Sequence, residues 1–139
     1  MATIEGHVTR SVIALEATAP CREAAKVMAD KKIGAVAVRE GGRIVGIVTE
    51  RDLVLRVLAV GGDGSMPIGE AMRTDVPNIP MKTHGHEVSD LMRDHYTRHL
   101  LVEENSKVAG IISMRDVIRL MLDDKQFLIE QLQTYIDGR

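Results

Sequence analysis

The chain has 139 residues, 45% hydrophobic and 27% charged, with a formal net charge of −2, which suits one ordinary domain or two small units sharing a core. With no Trp, one Phe and two Tyr it lacks a stacking platform for single-stranded nucleic acid, and its charge leaves no electrostatic footprint for DNA or RNA. Lone Cys21 closes no internal disulfide, and neither a signal peptide nor a run of about 18 apolar residues is present, so a cytoplasmic protein without a membrane span is expected.

In chain order, residues 12–15 are a short β-forming stretch. After Pro20, a residue favoured at the first helical position, Ala24, Val27 and Met28 fall at i, i+3 and i+4 and predict a helix. An apolar run at 35–38, the turn Glu40-Gly41-Gly42 and a second run at 44–48 predict a hairpin. A further helix starts at Arg51, reaches about Val60 and is stopped by Gly61-Gly62. The second half follows the same plan. Residues 76–79 are β-forming, and Val88, Leu91 and Met92 mark a helix with Thr83 as candidate N-cap. Runs at 100–102 and 108–112 flank Glu104-Asn105-Ser106, and a last helix runs from Arg115 past Leu122.

The parallel between the halves is a duplication. Shifting the chain by 64 positions aligns 23–58 with 87–122 without a gap, and ten of those 36 positions are identical, against roughly two expected from common residue frequencies. Among the identities are Met28/Met92, Gly46/Gly110, Arg51/Arg115 and Asp52/Asp116. The fold class is therefore α+β, built from two βαββα copies. The first is expected over 8–62, a linker over 63–67, the second over 68–125, and a C-terminal helix extension over 126–139. A copy of about 60 residues buries too little surface to stand well alone. Packing of the two sheets about a pseudo-twofold axis is expected, with a ligand cleft between the copies.

The sharpest local pattern is Gly46-Ile47-Val48-Thr49-Glu50-Arg51-Asp52, echoed by Gly110-Ile111-Ile112-Ser113-Met114-Arg115-Asp116. Each glycine leads a buried strand that ends on a hydroxyl residue, and a helix follows whose third residue is Asp. One reading is a capping box that satisfies free amides at the helix start. The other is a phosphate and ribose site, because a helix start attracts anions and a carboxylate accepts from vicinal hydroxyls.

These paired motifs, with Arg22-Glu23-Ala24-Ala25-Lys26-Val27-Met28 and Ile68-Gly69-Glu70-Ala71-Met72, resemble a tandem CBS-domain pair, the Bateman module named for cystathionine β-synthase. The resemblance spans roughly residues 8–125. It implies a regulatory module that senses AMP, ADP, ATP, NAD or S-adenosylmethionine between its repeats. On that pattern Thr49 and Ser113 would bond phosphate, and Asp52 and Asp116 ribose. Ile13-Ala14 and Pro77-Asn78 would line the adenine slots, with Val36 and Leu100 as apolar walls. The sequence departs from the family where Ala14 and Asn78 replace a common Thr. The family also usually pairs into a flat disc through its helices.

Arg51, Arg98, Arg115 and Lys32 are candidate phosphate partners, and His99 is a candidate at the cleft. His84, His86, His95 and His99 lack the spacing of a metal site, so no metal is expected. Cys21 opens a helix, where a thiolate would be stabilised, but no nucleophile–base pairing accompanies it. The expectation is no enzyme and no catalytic cofactor. In the last helix Val117, Met121, Leu128, Leu132 and Tyr135 make an apolar stripe, expected to pair two chains into a homodimer. The output partner, acting in trans, is left unnamed by the sequence. A structural dimerisation unit that binds no nucleotide is the alternative reading.

Overall fold

The computed structural model of the chain describes residues 2–138. It divides into two compact units, Ser11–Pro77 and the residues up to Arg10 together with those from Asn78 onward. The first unit runs β1 (Ala14–Glu16), α1 (Cys21–Lys31), β2 (Ala35–Glu40), β3 (Arg43–Thr49), α2 (Glu50–Leu53) and α3 (Ile68–Ala71). The second contains a 3-10 turn (Ile4–His7), β4 (Ile79–Pro80), α4 (Gly85–Asp94), β5 (His99–Glu104), β6 (Lys107–Ser113) and α5 (Met114–Gly138). Each unit holds a three-stranded sheet in sequence order, its first pair parallel and its second antiparallel.

The local reasons repeat with the sequence. Both hairpins turn on two residues of positive φ, Gly41 (60°) and Gly42 (77°) in one and Asn105 (55°) and Ser106 (64°) in the other. That conformation matches strand twist and favours Gly and Asn. Both hairpins also shift register at one equivalent point, Val38/Arg39 and Val102/Glu103. In α1, Cys21, Ala24 and Met28 form the buried face, packed on Val36, Val38 and Val48 of the sheet and on Val57, Ile68 and Ala71. The corresponding buried residues of the second unit include Val88, Met92, Leu100, Val102 and Ile112.

Several expected boundaries move. Pro20 is the N-cap of α1 and not its first residue, because its extended ψ cannot belong to the helix. The cap of α4 is His84, without a side-chain bond; the Thr83 hydroxyl donates to the Pro80 carbonyl at 2.6 Å instead. The helix after Thr49 is α-helical only over Glu50–Leu53 and continues as a π-turn over Val54–Leu58. Of the stretch expected at 76–79 only Ile79 is in a strand, which ends on Pro80.

The larger finding is an exchange of leaders. Ile68 and Gly69 donate to the carbonyls of Ala19 (2.8 Å) and Ala17 (2.9 Å), so α3 folds with the first sheet. Arg73 then pairs with Ile47 of β3. Sixty-four positions earlier, Ile4 donates to Thr83 at 2.9 Å and Thr9 pairs with Ile111 of β6. Each copy thus lends its opening segment to the other's sheet, and Ile4 and Ile68 are both fully buried. Burying each of these isoleucines stabilises by about 1.5–3 kcal/mol.

This also explains the leading glycine of each motif. A Cβ on Gly46 would lie 2.8 Å from Met72 Sδ and 2.9 Å from the Arg73 carbonyl oxygen. One on Gly110 would meet Val8 Cγ1 and stand 2.9 Å from the Thr9 oxygen. Among the described residues no helix is long and apolar enough to cross a membrane.

Candidate functional site

The two strand–helix junctions are built alike. At the first, the Thr49 N–H and hydroxyl both donate to Asp52 Oδ2, at 2.9 and 3.0 Å. The Asp52 N–H returns to Thr49 Oγ1 at 3.2 Å. At the second, Ser113 N–H and hydroxyl each donate to Asp116 Oδ2 at 2.9 Å, and Asp116 N–H returns at 3.1 Å. Both are complete capping boxes, each satisfying an amide that a helix start leaves unpaired. A second lock sits beside each cap. Glu50 N–H donates to the Gly34 carbonyl at 3.0 Å and Met114 N–H to that of Arg98 at 2.8 Å. The turn of the helix is therefore fixed to the start of the neighbouring strand.

The cap occupies Oδ2 and leaves Oδ1 of each Asp outside it. Asp52 Oδ1 lies 3.8 Å from Arg56 Nε, and Asp116 Oδ1 lies 3.9 Å from an Arg119 nitrogen. Ribose pairing through both carboxylate oxygens, as the sequence suggested, would therefore compete with the cap at Oδ2. Oδ1 is the better acceptor for a hydroxyl. Arg51 and Arg115 follow the caps and are exposed.

The ladder places the remaining candidates. Ala35 stands opposite Thr49, and His99 opposite Ser113, so His99 shares a side of its ladder with the capping hydroxyl. Burial lowers the His99 pKa, the Asp116 charge opposes this, and the Arg98 charge adds to it. Ile13 and Ala14 run beside β2, where the Ile13 carbonyl accepts from Ala37 at 2.9 Å.

Val36 and Leu100, expected as walls of an adenine slot, are buried in the core, 1% and 0% exposed. The strand period of two puts Val36 on the same face as Val38, against α1. Pro77 ends the first unit and Asn78 lies in the second. The Asn78 amide already donates to Glu103 at 3.0 Å. Lys32 is the exposed, left-handed C-cap of α1. Cys21 is buried, and burial with the Glu70 charge pushes its pKa up, so the helix start does not make it a reactive thiolate.

Sequence reasoning passed over Arg56 and Arg119, although i+4 and i+3 spacing from each Asp on a helix was the available signal. It also passed over Arg73 and Asp75, joined by two 3.0 Å bonds. The Arg73 guanidinium holds the Asp75 carboxyl down to about 2. No local pattern announced that pair's place beside the first junction, because the exchanged leader carries it there. Among the described residues no group of three or more His, Cys, Asp or Glu side chains is placed to share a metal ion.

Comparison with known proteins adds a family. The CBS domain family matches twice, at residues 4–59 and 68–123. The CBS domain-containing protein YhcV of Bacillus subtilis is 31% identical over 121 residues, 84% of each chain. A CBS-domain protein of Burkholderia ambifaria, assigned to signal transduction, is 32% identical with a TM-score of 0.78, covering 83% of this chain and 85% of that one. A hexameric CBS-CP12 protein from bloom-forming cyanobacteria is 27% identical with a TM-score of 0.75, covering 85% and 71%. With two matches filling most of its length, on a fold that repeats the same unit, the chain belongs to the CBS-domain family as a tandem pair.

Proposed function

We propose that this chain is a regulatory module, not an enzyme, that binds an adenine nucleotide (AMP, ADP, ATP or NAD) at a strand–helix junction and signals to a separate protein. The observation that supports the reading is the capped junction itself. It offers a hydroxyl, an exposed Arg, and an Asp whose Oδ1 lies outside the cap. Oδ1 is suited to a ribose hydroxyl, and the Arg and helix start to phosphate. The signal-transduction assignment of the Burkholderia relative agrees with a regulatory role.

Pairing with a second copy belongs to the same proposal. Val54, Leu55 and Leu58 are 54%, 49% and 67% exposed, and Ile118, Leu122 and Leu132 are 51%, 61% and 62% exposed. Apolar helix surface of this extent is expected to be covered by a partner. The hexameric relative shows that assembly occurs among similar proteins.

A second reading, a structural dimerisation unit, is favoured by the completeness of both caps, which account for Thr49, Asp52, Ser113 and Asp116 without a ligand. Thermal shift against AMP, ADP, ATP, NAD and S-adenosylmethionine decides between them. Ligand at about 100 times its dissociation constant adds about 2.7 kcal/mol, a rise on the order of 5–10 °C for this size. A flat panel, with no bound nucleotide in the purified protein, returns the junctions to capping alone.

A further inference from the structure

The last helix runs on past the repeat it closes. The second family match ends at residue 123, while α5 continues to Gly138. Up to that point its own unit holds the helix. Val117 and Leu120 are buried, and His7 Nε2 lies 2.9 Å from Asp123 Oδ2. From Lys125 to Asp137 every side chain is exposed. A lone helix of this length is marginal in water, so packing from outside the chain has to support it.

The apolar residues of α5 are ordered along it. Ile118, Leu122, Lys125, Ile129 and Leu132 follow one another at steps of four, three, four and three, the spacing of a coiled-coil seam. At about 100° per residue the seam lies roughly a third of a turn from the buried Val117 and Leu120. It is therefore not the face with which α5 packs into its own unit. Met121, Leu128 and Tyr135 flank it on one side.

Charge selects the occupant. Beside the seam stand Asp123, Asp124, Glu130 and Asp137 against Arg119, a balance that disfavours an anionic lipid surface. Lys125 is the one charge within the seam. A second α5 laid parallel would set Lys125 on its own copy, like charge on like charge. Laid antiparallel, Lys125 falls beside Ile129 of the second copy, where its aliphatic stem packs and its ammonium reaches water. The same alignment sets Leu122 on Leu132, Met121 on Tyr135 and Leu128 on itself, and it brings no acid into the seam. The stripe thus matches itself in the antiparallel direction.

We infer that α5 pairs antiparallel with α5 of a second copy, about a twofold axis level with Phe127, and that Lys125 sets the direction. The inference rests on the pairing reading above and adds the surface and its direction.

Crosslinking of the full chain tests it. Leu122→Cys and Leu132→Cys chains, each alone and the two co-expressed, are treated with a short bismaleimide at micromolar concentration. Cys21 is buried, and the wild-type chain treated alike sets the background. In the antiparallel pair each new thiol stands about 15 Å along the axis from its own copy, but Leu122→Cys faces Leu132→Cys. The expected result is a crosslinked dimer in the mixture and in neither chain alone. By sedimentation, Lys125→Met should tighten the dimer roughly threefold or more. Circular dichroism shows whether each variant folds.

Crosslinking within either chain alone would show a parallel pair. A dimer by sedimentation that gives no crosslink in the mixture and no tightening in Lys125→Met would place the pairing on another surface. Either result would overturn this inference and leave the pairing reading standing. Wild-type protein that sediments as a monomer at micromolar concentration would overturn both.

Discussion

The exchange of leaders makes a demand on Gly46 and Gly110 that can be tested by adding one methyl group to each. Real Cβ atoms do not approach other heavy atoms within 3.0 Å. At Gly46 the new carbon meets Met72 Sδ at 2.8 Å and the Arg73 oxygen at 2.9 Å. The methionine can swing aside. The carbonyl cannot, because Arg73 N–H donates to Ile47 at 2.9 Å and the Arg73 oxygen accepts in return at 3.4 Å. Overpacking of this kind costs about 1–3 kcal/mol, and replacing a strand glycine returns about 0.5–1 kcal/mol of backbone entropy. Gly46→Ala and Gly110→Ala should each lower the stability by about 1–2 kcal/mol. For a chain of this size that is a melting temperature lower by roughly 3–10 °C. Gly85→Ala should cost less, since its Cβ meets the movable end of Leu120 at 2.7 Å. Gly6→Ala, with nothing within 4 Å, is the control and should melt at or slightly above wild type. Differential scanning calorimetry at one pH reads all four. Gly46→Ala and Gly110→Ala proteins that melt with the Gly6→Ala control would show that neither leader presses on its strand.

Two further outcomes follow from particular side chains. His99 has a pKa depressed below its ordinary 6.5, chiefly by burial, so the folded chain holds that proton less tightly than the unfolded one. Its contribution is full above about 6.5 and is lost as pH falls through the lower folded value. Melting temperature without ligand should drop less between pH 7.5 and 5 in His99→Gln than in wild type, and equal drops would refute the assignment. In α5, Leu128 and Leu132 are 61% and 62% exposed. If they meet a second copy, Leu128→Glu with Leu132→Glu should shift sedimentation toward a 15.3 kDa species, with the fold intact by circular dichroism. An unchanged sedimentation pattern would take that stretch of α5 out of the interface.

Much of this protein is readable without coordinates. The duplication, the βαββα order and the hairpins rest on local periodicity and turn residues, which act over a few neighbours and repeat faithfully at 64 positions. The Thr49–Asp52 and Ser113–Asp116 caps are equally local, because their partners lie three residues apart. What the sequence could not decide depends on segments that meet from far along the chain. Ile4 and Ile68 head the two family-matched segments, 4–59 and 68–123, yet each is buried with the sheet of the other. That choice turns on which groove fits, not on any pattern within the segment. The same return of the chain puts the Arg73–Asp75 pair within charge range of Asp52 and Arg56, whereas Asp116 pairs with Arg119 of its own helix. Two motifs that read as equivalent therefore have different neighbours in the folded chain, because what is assembled around a motif comes from segments far along the sequence and not from the motif itself.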